Sequence, residues 1–551
     1  MIQELLQRAV QYHAAGRLAE AQSLYREILD HHPDHPEALH FLGIVAHQKG
    51  RDDLALPLIE RSLTVKPDNP GALNTLGIVL GRLNRDVEAV IHYRRSLALH
   101  ADQAEVHGNL GMALARLGRF DEALENLKLG VLLAPDIAGH HVNLGNFYMM
   151  ARCLEEAVSC YHRAVTLQPG MIEAHANLGN ALVEIGREEE GIVHLRQSIT
   201  LDPTAPQGYH NLGNAWQKQG RPDLALPYYR QAVRLQPDCP DTLFNEGLSH
   251  LQLGAFREGW AGYEWRWRTR GFIPHGFTAP QWDGRAFPGQ TLLIHCEQGF
   301  GDSLQFIRFV PQVKARGGRV VVCCPPALER LFSRIAGIDR LVGDVADVGL
   351  FDWQIPLLSL PRVLDITLES LPGGRAYLTA DGGLGRTYRE WLAPLSGLKI
   401  GISWRGDPRH GNDRRRSMTA AALAAGLATV PGRLVGLQKD ATPEEVALFA
   451  RRGGGWLDAS GWLHDFDHTA ALVVHLDLVI AVDTAVVHLA GGLGRPVWLL
   501  LPKVADWRWF LDREESPWYP GMRLLRQRVA GDWAELLHRV AWALEHEWDR
   551  A

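Results

Sequence analysis

A period of 34 residues runs through the first half of this chain of 551 residues. Leu-Gly pairs, a second series of glycines, a series of alanines and a series of prolines each return at this interval. The Leu-Gly pairs are Leu42-Gly43, Leu76-Gly77, Leu110-Gly111, Leu144-Gly145, Leu178-Gly179 and Leu212-Gly213. Small residues let two helices approach closely, and proline ends the second helix of each period. The period therefore predicts tandem helix pairs that bury a core by stacking on their neighbours.

These columns resemble the tetratricopeptide pattern, and the resemblance covers eight repeats over residues 2–273. It implies an α-solenoid whose equivalent positions line one extended surface. A connector at 274–290 follows the repeats. Trp260, Trp265 and Trp267 lie just before it and are too many large aromatic residues for a solvated linker. We expect them to dock the last repeat helix onto the next domain.

A column of asparagines recurs in the repeats although the packing pattern does not require it. Its members are Asn109, Asn143, Asn177, Asn211 and Asn245. An amide both donates and accepts, so a ladder of amides can hold the backbone of an extended peptide. Alternatively, these asparagines bond neighbouring repeats together or cap helix turns. The column resembles the asparagine ladder of eukaryotic protein O-GlcNAc transferases, which implies a protein or peptide partner.

Beyond the connector, short apolar runs rich in β-branched residues alternate with helical patterns. This alternation is typical of doubly wound parallel sheets. A stretch rich in Gly, Pro and polar residues at 371–397 separates two lobes, which we place at 291–380 and 397–530, and a terminal helix is predicted at 531–548. Two such lobes with a cleft between them form the architecture called GT-B. The predicted fold class is an α-solenoid followed by an α/β GT-B region with two Rossmann-like lobes.

The best candidate phosphate site lies in a predicted strand-helix-strand segment at 478–500. Asp483 and Thr484 are residue types that cap helix N-termini, and they stand where the strand ends and the helix begins. His488 lies one turn further along on the same side. Ligands of parallel sheets bind outside the carboxyl ends of the strands, where a helix N-terminus offers N–H groups to phosphate.

The loop after the first strand carries Gly299, Gly301 and Asp302, and a helix is predicted from about Leu304. The glycines would let the backbone approach a ligand closely. Asp302 could act as a general base on an acceptor hydroxyl, whereas the residues alone favour a helix-capping role. The loop lacks the full dinucleotide-binding fingerprint and the Lys-Ser/Thr of a P-loop.

Polar residues follow two strands of the second lobe and are candidates for donor binding. They are Ser403, Arg405, Arg415, Arg416 and Gln438. Guanidinium groups suit diphosphate oxygens, and Gln438 could read a base or ribose. The alternative for the arginines is a solvated basic loop.

Two other motifs have competing interpretations. Asp465-Phe-Asp467 matches the DxD motif that binds a metal diphosphate in another transferase fold. It precedes a predicted helix, so N-capping is the better interpretation and we predict no metal. The Asp506-Trp-Arg-Trp509 stretch has the composition of a site rim, although tryptophan is also common in packing between lobes.

Residues 291–545 resemble the heptosyltransferase family of glycosyltransferases. The Gly-Asp pair ending at Asp302 matches the family's motif after the first strand, and the resemblance implies that Asp302 is the catalytic base. The family's Asp-Thr-x-x-x-His motif matches Asp483, Thr484 and His488, which implies that these residues bind the diphosphate-sugar of the donor.

The sequence departs from that family at two places. Ala485 stands where the family usually has Gly, and arginines at 414–416 replace a lysine. The layout of repeats followed by a transferase is more similar to bacterial protein glycosyltransferases, including those that modify flagellins. This resemblance implies a protein acceptor, with flagellin as one candidate.

Composition excludes several classes of function. The net charge of −6 exerts no general attraction for nucleic acid or membrane surfaces. No apolar stretch approaches the roughly 18 residues of a membrane span, and the first residues lack the pattern of a secretory signal. The six cysteines show no CxxC spacing. We therefore expect a cytoplasmic protein without a zinc site or a disulfide framework.

The main hypothesis is a metal-independent glycosyltransferase that needs no cofactor. It would move a sugar from a nucleotide-sugar, its co-substrate, to hydroxyl groups of a protein acceptor recruited by the repeats. One alternative is a peptide-binding scaffold whose transferase domain is inactive. The other is a heptosyltransferase-like enzyme that acts on a glycolipid.

Overall fold

The computed structural model describes residues 2–269, 271–272, 276–374, 376–409, 411–451 and 455–547. The chain divides into two compact units, Met1–Ala215 and Trp216–Ala551, called here the first unit and the second unit. The predicted boundary between repeats and connector, at 273/274, lies outside the described residues, as does residue 548 of the predicted terminal helix. The domain limits given by the sequence stay predictions.

Sixteen α-helices in tandem pairs occupy the described chain as far as Tyr263, which confirms the predicted array of helix pairs. They are α1 Ile2–Ala14, α2 Leu18–His31, α3 Pro36–Gln48, α4 Asp52–Val65, α5 Pro70–Arg82, α6 Asp86–Leu99, α7 Ala104–Arg116, α8 Phe120–Leu133, α9 Ala138–Met150, α10 Leu154–Leu167, α11 Ile172–Glu184, α12 Glu188–Leu201, α13 Pro206–Lys218, α14 Pro222–Leu235, α15 Pro240–Gln252 and α16 Phe256–Tyr263. Helices α1 to α12 belong to the first unit, and α14 to α16 belong to the second.

The two glycine columns have different physical causes. The glycine of each Leu-Gly pair lies where two helices of a pair touch: a Cβ at Gly111 would stand 2.6 Å from the Leu127 side chain. The second column ends the first helix of each pair in the left-handed conformation, as at Gly118 with φ +75°. Asn84 and Arg152 occupy this column without being glycine and adopt φ 60° and 62°. The turn therefore keeps the left-handed conformation even at positions where the residue has a Cβ and adopts it less readily than glycine.

Another column fixes the turns between repeats. His141 Nε2 lies 2.8 Å from the Pro135 carbonyl oxygen, and His175 forms the same bond six residues back. The Tyr209 hydroxyl donates to the Pro203 carbonyl at 3.2 Å in the equivalent place. Because a carbonyl only accepts, the bonded ring nitrogen carries the hydrogen. These bonds tie each helix to the proline-ended turn before it.

The second unit contains two parallel sheets, which confirms the predicted α/β region with two Rossmann-like lobes. The first sheet has the order β3-β2-β1-β4, with β1 Thr291–His295, β2 Arg319–Cys323, β3 Arg340–Val342 and β4 Trp353–Pro356. The second has the order β10-β9-β8-β5-β6-β7, with β5 Lys399–Ser403, β6 Arg433–Gly436, β7 Trp456–Asp458, β8 Leu478–Val482, β9 Val497–Leu501 and β10 Met522–Arg526. Every residue of β8 and β9 is buried, as expected for central strands covered on both faces.

Helices follow most strands of the second unit. They are α17 Phe300–Phe306, α18 Val310–Lys314, α19 Pro326–Phe332, α20 Leu360–Val363, α21 Gly382–Leu392, α22 Asp413–Arg416, α23 Ala420–Gly426, α24 Pro443–Ala450, α25 Phe466–Val473, α26 Ala485–Gly492 and α27 Trp533–His546. No helix within the described ranges has the length and apolar character needed to cross a membrane.

Two helices differ from the sequence expectation. The helix predicted from about Leu304 begins at Phe300, because the Asp302 carboxylate caps this earlier start by accepting from the Gly299 N–H. Helix α21 lies inside the stretch that we interpreted as a gap between lobes. Three glycines lower its helix propensity, but Asp381 caps it by accepting from the N–H groups of Gly383 and Leu384.

Of the three tryptophans expected to dock the last repeat helix, Trp260 contacts the lobes of the second unit. Trp260 is buried, and its indole N–H donates to the Ile366 carbonyl at 3.1 Å. Its ring packs edge-on against Phe306, which follows β1, and against Trp507, which follows β9. One side chain of α16 therefore contacts both lobes.

Candidate functional site

Two helix N-termini meet where the sheets of the second unit present their carboxyl ends. Helix α17 follows β1 and has Gly299 at its N-cap, and α26 follows β8 and has Thr484 at its N-cap. A Cβ at Gly301 would stand 2.9 Å from His488 Cδ2 and 3.7 Å from the Ala485 backbone. We expected this glycine to admit a ligand, but its close neighbour in the structure is the opposite lobe.

Asp302 lies in the first turn of α17 and uses both carboxylate oxygens. Oδ2 accepts a hydrogen bond from the Gly299 N–H at 3.0 Å, so the predicted capping role is confirmed. Oδ1 forms an ion pair with Arg508 Nη2. The side chain stays 18% exposed, and each carboxylate oxygen can accept more than one hydrogen bond. The cap and the ion pair thus fix the carboxylate without sealing it from a substrate.

Arg508 is a residue to which the sequence assigns no role beyond a place in a candidate site rim. It follows β9 in a short 3₁₀ turn, is almost fully buried, and pairs with Asp506 Oδ1 at 2.8 Å as well as with Asp302. Its Nε donates to Gln305 Oε1 at 2.8 Å, and its guanidinium lies 4.4 Å from the centre of the Trp507 ring.

The neighbouring carboxylates raise the pKa of Arg508, against the effect of burial. The Asp506-Trp-Arg-Trp509 stretch was noted as a rim, but nothing in the sequence pointed to Asp302 as its partner.

The backbone is strained directly beyond this turn. Phe510 has φ 55° and ψ −158°, a combination that side-chain-bearing residues rarely adopt and that costs roughly 1–3 kcal/mol. Its ring stacks on Phe256 of α16 with 6.1 Å between ring centres. Such strain persists only where the surroundings impose it, and here the packed aromatic rings do so.

Asp483 is a second carboxyl group with an altered acidity. Burial raises its pKa to about 6, the charge of Asp506 adds to the shift, and Arg416 and Arg508 act against it. The group therefore takes up a proton about two pH units earlier than an exposed aspartate on acidification. Three carboxylates and two arginines thus share this edge of the sheets.

His488 is held neutral beside them. Burial lowers its pKa well below the usual range, and the charges of three nearby arginines act in the same direction. Nδ1 is 2.9 Å from the Tyr519 hydroxyl, and the ring stacks on Trp509 with 5.4 Å between centres. Nε2 is 3.8 Å from Asp483 Oδ1, beyond hydrogen-bond length. This imidazole can offer a hydrogen bond to a ligand but not a charge.

Thr484 occupies the N-cap position of α26 without capping the helix. Its hydroxyl is buried and has no hydrogen-bond partner within the described part of the chain. The sequence predicts a helix-capping residue at this position. The structure confirms Thr484 as the N-cap residue, but its side chain forms no capping hydrogen bond. An unpartnered hydroxyl beside a helix N-terminus matches the groups that bind phosphate oxygens.

The three predicted arginines have different surroundings. Arg405 forms an ion pair with Glu445, so its charge is partly neutralised. Arg415 is exposed. Arg416 is turned inward over Gly406, where an added Cβ would meet its Nη2 at 2.7 Å. Of the three, Arg416 is the one whose charge reaches the buried groups after β8.

Ser403 and Gln438 bond to each other rather than facing outward. Gln438 Oε1 accepts from the Ser403 hydroxyl at 3.0 Å and from the N–H groups of Trp404 and Arg405 at 3.2 Å. Its Nε2 donates to Asp440 at 2.7 Å. Gln438 is therefore engaged in shaping the turn after β5, and its contact with a base or ribose stays a prediction.

The DxD motif behaves as a helix cap. Asp465 accepts from the His468 N–H at 2.9 Å, which confirms N-capping of α25, and Asp467 forms an ion pair with Arg334. Across the described ranges, no group of three or more His, Cys, Asp or Glu side chains is placed to hold a metal ion.

The asparagine column lies on the first helix of successive pairs, and two of its members bond to the preceding repeat. Asn109 Nδ2 donates to Asn74 Oδ1 at 3.1 Å, and Asn177 Nδ2 donates to Asn146 Oδ1 at 3.0 Å. Asn211 Oδ1 accepts instead from Gln207 at 2.7 Å. Bonding between repeats, one of the two interpretations, therefore accounts for part of the column. An amide has further donor and acceptor capacity, so peptide binding stays a prediction for Asn109, Asn143, Asn177, Asn211 and Asn245.

Family models match four stretches of the helical half. "Tetratricopeptide repeat" models match residues 6–72, 104–125 and 206–239, and a "TPR repeat" model matches 179–220. The chain contains tetratricopeptide repeats. The sequence period predicts this class of repeat, the helix pairs of the structure agree with it, and the family models confirm it.

Protein FlbA from Caulobacter vibrioides is 29% identical over 320 residues, which are 53% of this chain and 53% of that protein. Among solved structures, the Cut9-Hcn1 assembly of the APC/C is similar with a TM-score of 0.40, 17% identity, and coverage of 44% of this chain and 48% of that chain. A tetratricopeptide repeat protein from Parabacteroides merdae gives a TM-score of 0.38 at 14% identity, covering 45% of this chain and 98% of that one. The chain spans about half the length of the first relatives that it matches.

Proposed function

We propose that this protein is a metal-independent glycosyltransferase that moves a sugar from a nucleotide-sugar to hydroxyl groups of a protein acceptor. The observation that carries the proposal is the close approach of α17, the helix that carries Asp302, to the N-terminal turn of α26: a Cβ at Gly301 would stand 3.7 Å from the Ala485 backbone. A carboxylate carried by one lobe and a helix N-terminus carried by the other, brought close together, suit transfer between an acceptor hydroxyl and a diphosphate donor.

The chemistry assigns a separate task to each side. Asp302 takes the proton of an acceptor hydroxyl while the oxygen bonds to the anomeric carbon. The bond from that carbon to the diphosphate breaks, and its electron pair leaves with the nucleotide. The α26 N–H groups, the Thr484 hydroxyl and Arg416 stabilise the departing charge. Arg415 can approach from the exposed loop, whereas Arg405 is held by Glu445.

Acceptor recruitment is assigned to the repeats. Tetratricopeptide arrays offer extended surfaces, and the asparagine column supplies amides at a regular interval along it. The acceptor is therefore a polypeptide in an extended conformation, and flagellin is one candidate.

The direct test compares cellular proteins by mass spectrometry with and without the intact gene, and with a gene encoding Asp302→Asn. We expect one or more acceptor peptides to carry an added sugar mass only when Asp302 is present. Capture of the acceptor by the Asp302→Asn protein should be unchanged. Sugar transfer by that variant would remove Asp302 from the role of base.

A peptide-binding scaffold is the second candidate, and one observation favours it. Asp302 is engaged by Arg508 and by a helix cap, and Gln438 is engaged by its own loop. A transferase fold that had lost its activity would retain such internal bonds. Calorimetry with UDP-, GDP-, CMP- and ADP-linked sugars separates the two, because a scaffold binds none of them while still binding its protein partner.

A further inference from the structure

The loop that leads to Asp302 is held in an unfavourable conformation. Gln298, next to the N-cap residue Gly299, has φ 61°, in the left-handed region that residues with a Cβ seldom occupy. Gln298 and Gly299 are exposed, so burial of these two residues does not explain the conformation. Contacts from elsewhere must hold the loop in place.

One such contact is made by Tyr263, the last residue of α16. Gln298 Nε2 donates to the Tyr263 hydroxyl at 3.0 Å. Tyr263 is 3% exposed, and its ring packs against Phe244 of α15 and Trp507 of the turn after β9. The exposed loop residue is therefore bonded to the hydroxyl of a buried tyrosine.

A second contact is made by Arg266 in the 3₁₀ turn after α16. Its Nη2 pairs with Glu297 Oε1 at 2.7 Å, and both side chains are almost completely buried. The same nitrogen donates to Ser359 at 2.8 Å, and Nη1 pairs with Glu264 at 3.0 Å. A buried ion pair adds little net stability, so its value lies in fixing geometry. Glu297 and Gln298 are thus held side by side from one short segment.

We propose that Tyr263 and Arg266 are positioning residues that fix the loop 297–299 and thereby the orientation of Asp302. The connection is short: Gly299 caps α17 and donates its N–H to Asp302 Oδ2. Both residues lie at the end of the repeat helices, in sequence before the connector. The end of the helical array is therefore part of the catalytic apparatus. The catalytic part of this inference rests on the proposed function, whereas the fixing of the loop does not.

The experiment uses the full chain with three variants. Tyr263→Phe removes one hydroxyl, Arg266→Met removes the buried charge, and Arg266→Lys keeps it. Arg257→Gln is the matched control, because Arg257 also joins α16 to the first lobe through Asp365, yet both partners are exposed and distant in sequence from the loop. Hydrogen-deuterium exchange is measured for fragments covering 296–304 and, as a reference, β8.

We expect exchange of the 296–304 amides to become about tenfold faster in Tyr263→Phe, the effect of one lost hydrogen bond, and faster still in Arg266→Met. Arg266→Lys should restore part of the protection, and Arg257→Gln should not change it. The β8 fragment should exchange at the same rate in all variants. Unchanged loop exchange, or an equal acceleration of β8, would overturn the positioning role.

Sugar transfer to the acceptor is measured on the same proteins. Turnover should fall about tenfold in Tyr263→Phe while the KM for the nucleotide-sugar stays constant, since the donor site on the other lobe is untouched. A looser loop with unchanged turnover would overturn the catalytic part of the inference. If the unchanged chain transfers no sugar while the loop loosens as expected, the proposed function fails and the fixing of the loop stands.

Discussion

The two units of this protein keep their polar groups satisfied in different ways. In the first unit the same bond returns from repeat to repeat, as between His141 and Pro135 and again one period later. In the second unit the decisive bond, between Asp302 and Arg508, joins residues 206 positions apart and belongs to no series. A substitution in the first unit removes one of many equivalent contacts. A substitution at the site removes one of a few contacts that have no equivalent elsewhere.

The amino-acid composition offers a means of following the two units separately. All 17 tryptophans of the chain lie at residue 216 or beyond, so tryptophan fluorescence reports on the second unit. The first unit is entirely helical apart from its turns, and it supplies much of the far-ultraviolet circular dichroism. Denaturation followed by both signals therefore assigns a loss of stability to one unit or the other.

The largest effect is expected for Asp302→Asn. If Asp302 is the general base, sugar transfer should fall by about 10²–10⁴-fold, the usual contribution of such a group. Asp283→Asn changes an exposed aspartate of the predicted connector, which is paired with Arg285, and should leave transfer unchanged. A similar loss of sugar transfer in Asp302→Asn and Asp283→Asn would contradict a specific role for Asp302.

Arg508→Met should cause the next largest loss. It leaves the carboxylates of Asp302 and Asp506 without their buried partner, which typically costs about 3–5 kcal/mol of the free energy of unfolding. The urea midpoint measured by tryptophan fluorescence should fall, and the dichroism transition of the repeats should not. Arg409→Gln, which removes an exposed pair with Asp407, serves as the control. A fall in the repeats instead would contradict the separation of the two units.

Acid should weaken the first unit through His40. Burial lowers the pKa of His40 to about 4, so the unfolded chain binds this proton first as the pH falls. Stability is complete above about pH 6.5 and is lost between pH 6.5 and pH 4, by about 3 kcal/mol. His40→Gln should make the free energy of unfolding of the first unit less dependent on pH in this range. The measurement is denaturation followed by circular dichroism at several pH values.

The second unit contains Asp483, whose titration has the opposite effect on stability. Because the pKa of Asp483 is raised to about 6, the unfolded chain releases this proton first as the pH rises, and stability is lost between about pH 4 and pH 6. Asp483→Asn should remove this dependence from the fluorescence transition. An unchanged pH dependence between pH 4 and pH 6 in Asp483→Asn would refute the assignment.

Gly301→Val tests the contact between the lobes and should have a smaller effect. The added side chain meets His488, and overpacking of this kind costs about 1–3 kcal/mol. Gly382→Val is the matched control, since Gly382 also lies in the first turn of a helix but has open space around its Cβ position. Equal fluorescence midpoints for the two variants would show that the lobes separate without cost.

The smallest effect is expected in the asparagine column. Asn177→Ala should weaken acceptor binding by about 0.5–1.5 kcal/mol, the usual net value of one hydrogen bond. Successive alanines in the column should weaken it step by step, as measured by calorimetry with the acceptor. Asn126→Ala, on the second helix of its pair, is the control. Loss of stability of the first unit with unchanged affinity would favour the interpretation that these amides only join repeats.

The features that the sequence predicts correctly are those with a local or periodic cause. The helix pairs follow from columns that agree repeatedly, and α26 follows from an apolar strand, an N-cap type and the ending glycine Gly494. The pairing of Asp302 with Arg508 has no such cause, because only the folded sheets bring the two loops together. The same holds for the bonds of Gln438, whose side chain suits a ligand in type but bonds to the turn after β5 and to Asp440.

The buried pair of Arg266 and Glu297 restricts how a gene of this kind can be rearranged. A recombination point in the connector would separate the arginine from its glutamate and leave a buried charge in each product. A crossover before α15 keeps the two residues of this ion pair in one product. The ion pair therefore survives an exchange of earlier repeats only when the last helix pair is inherited with the lobes.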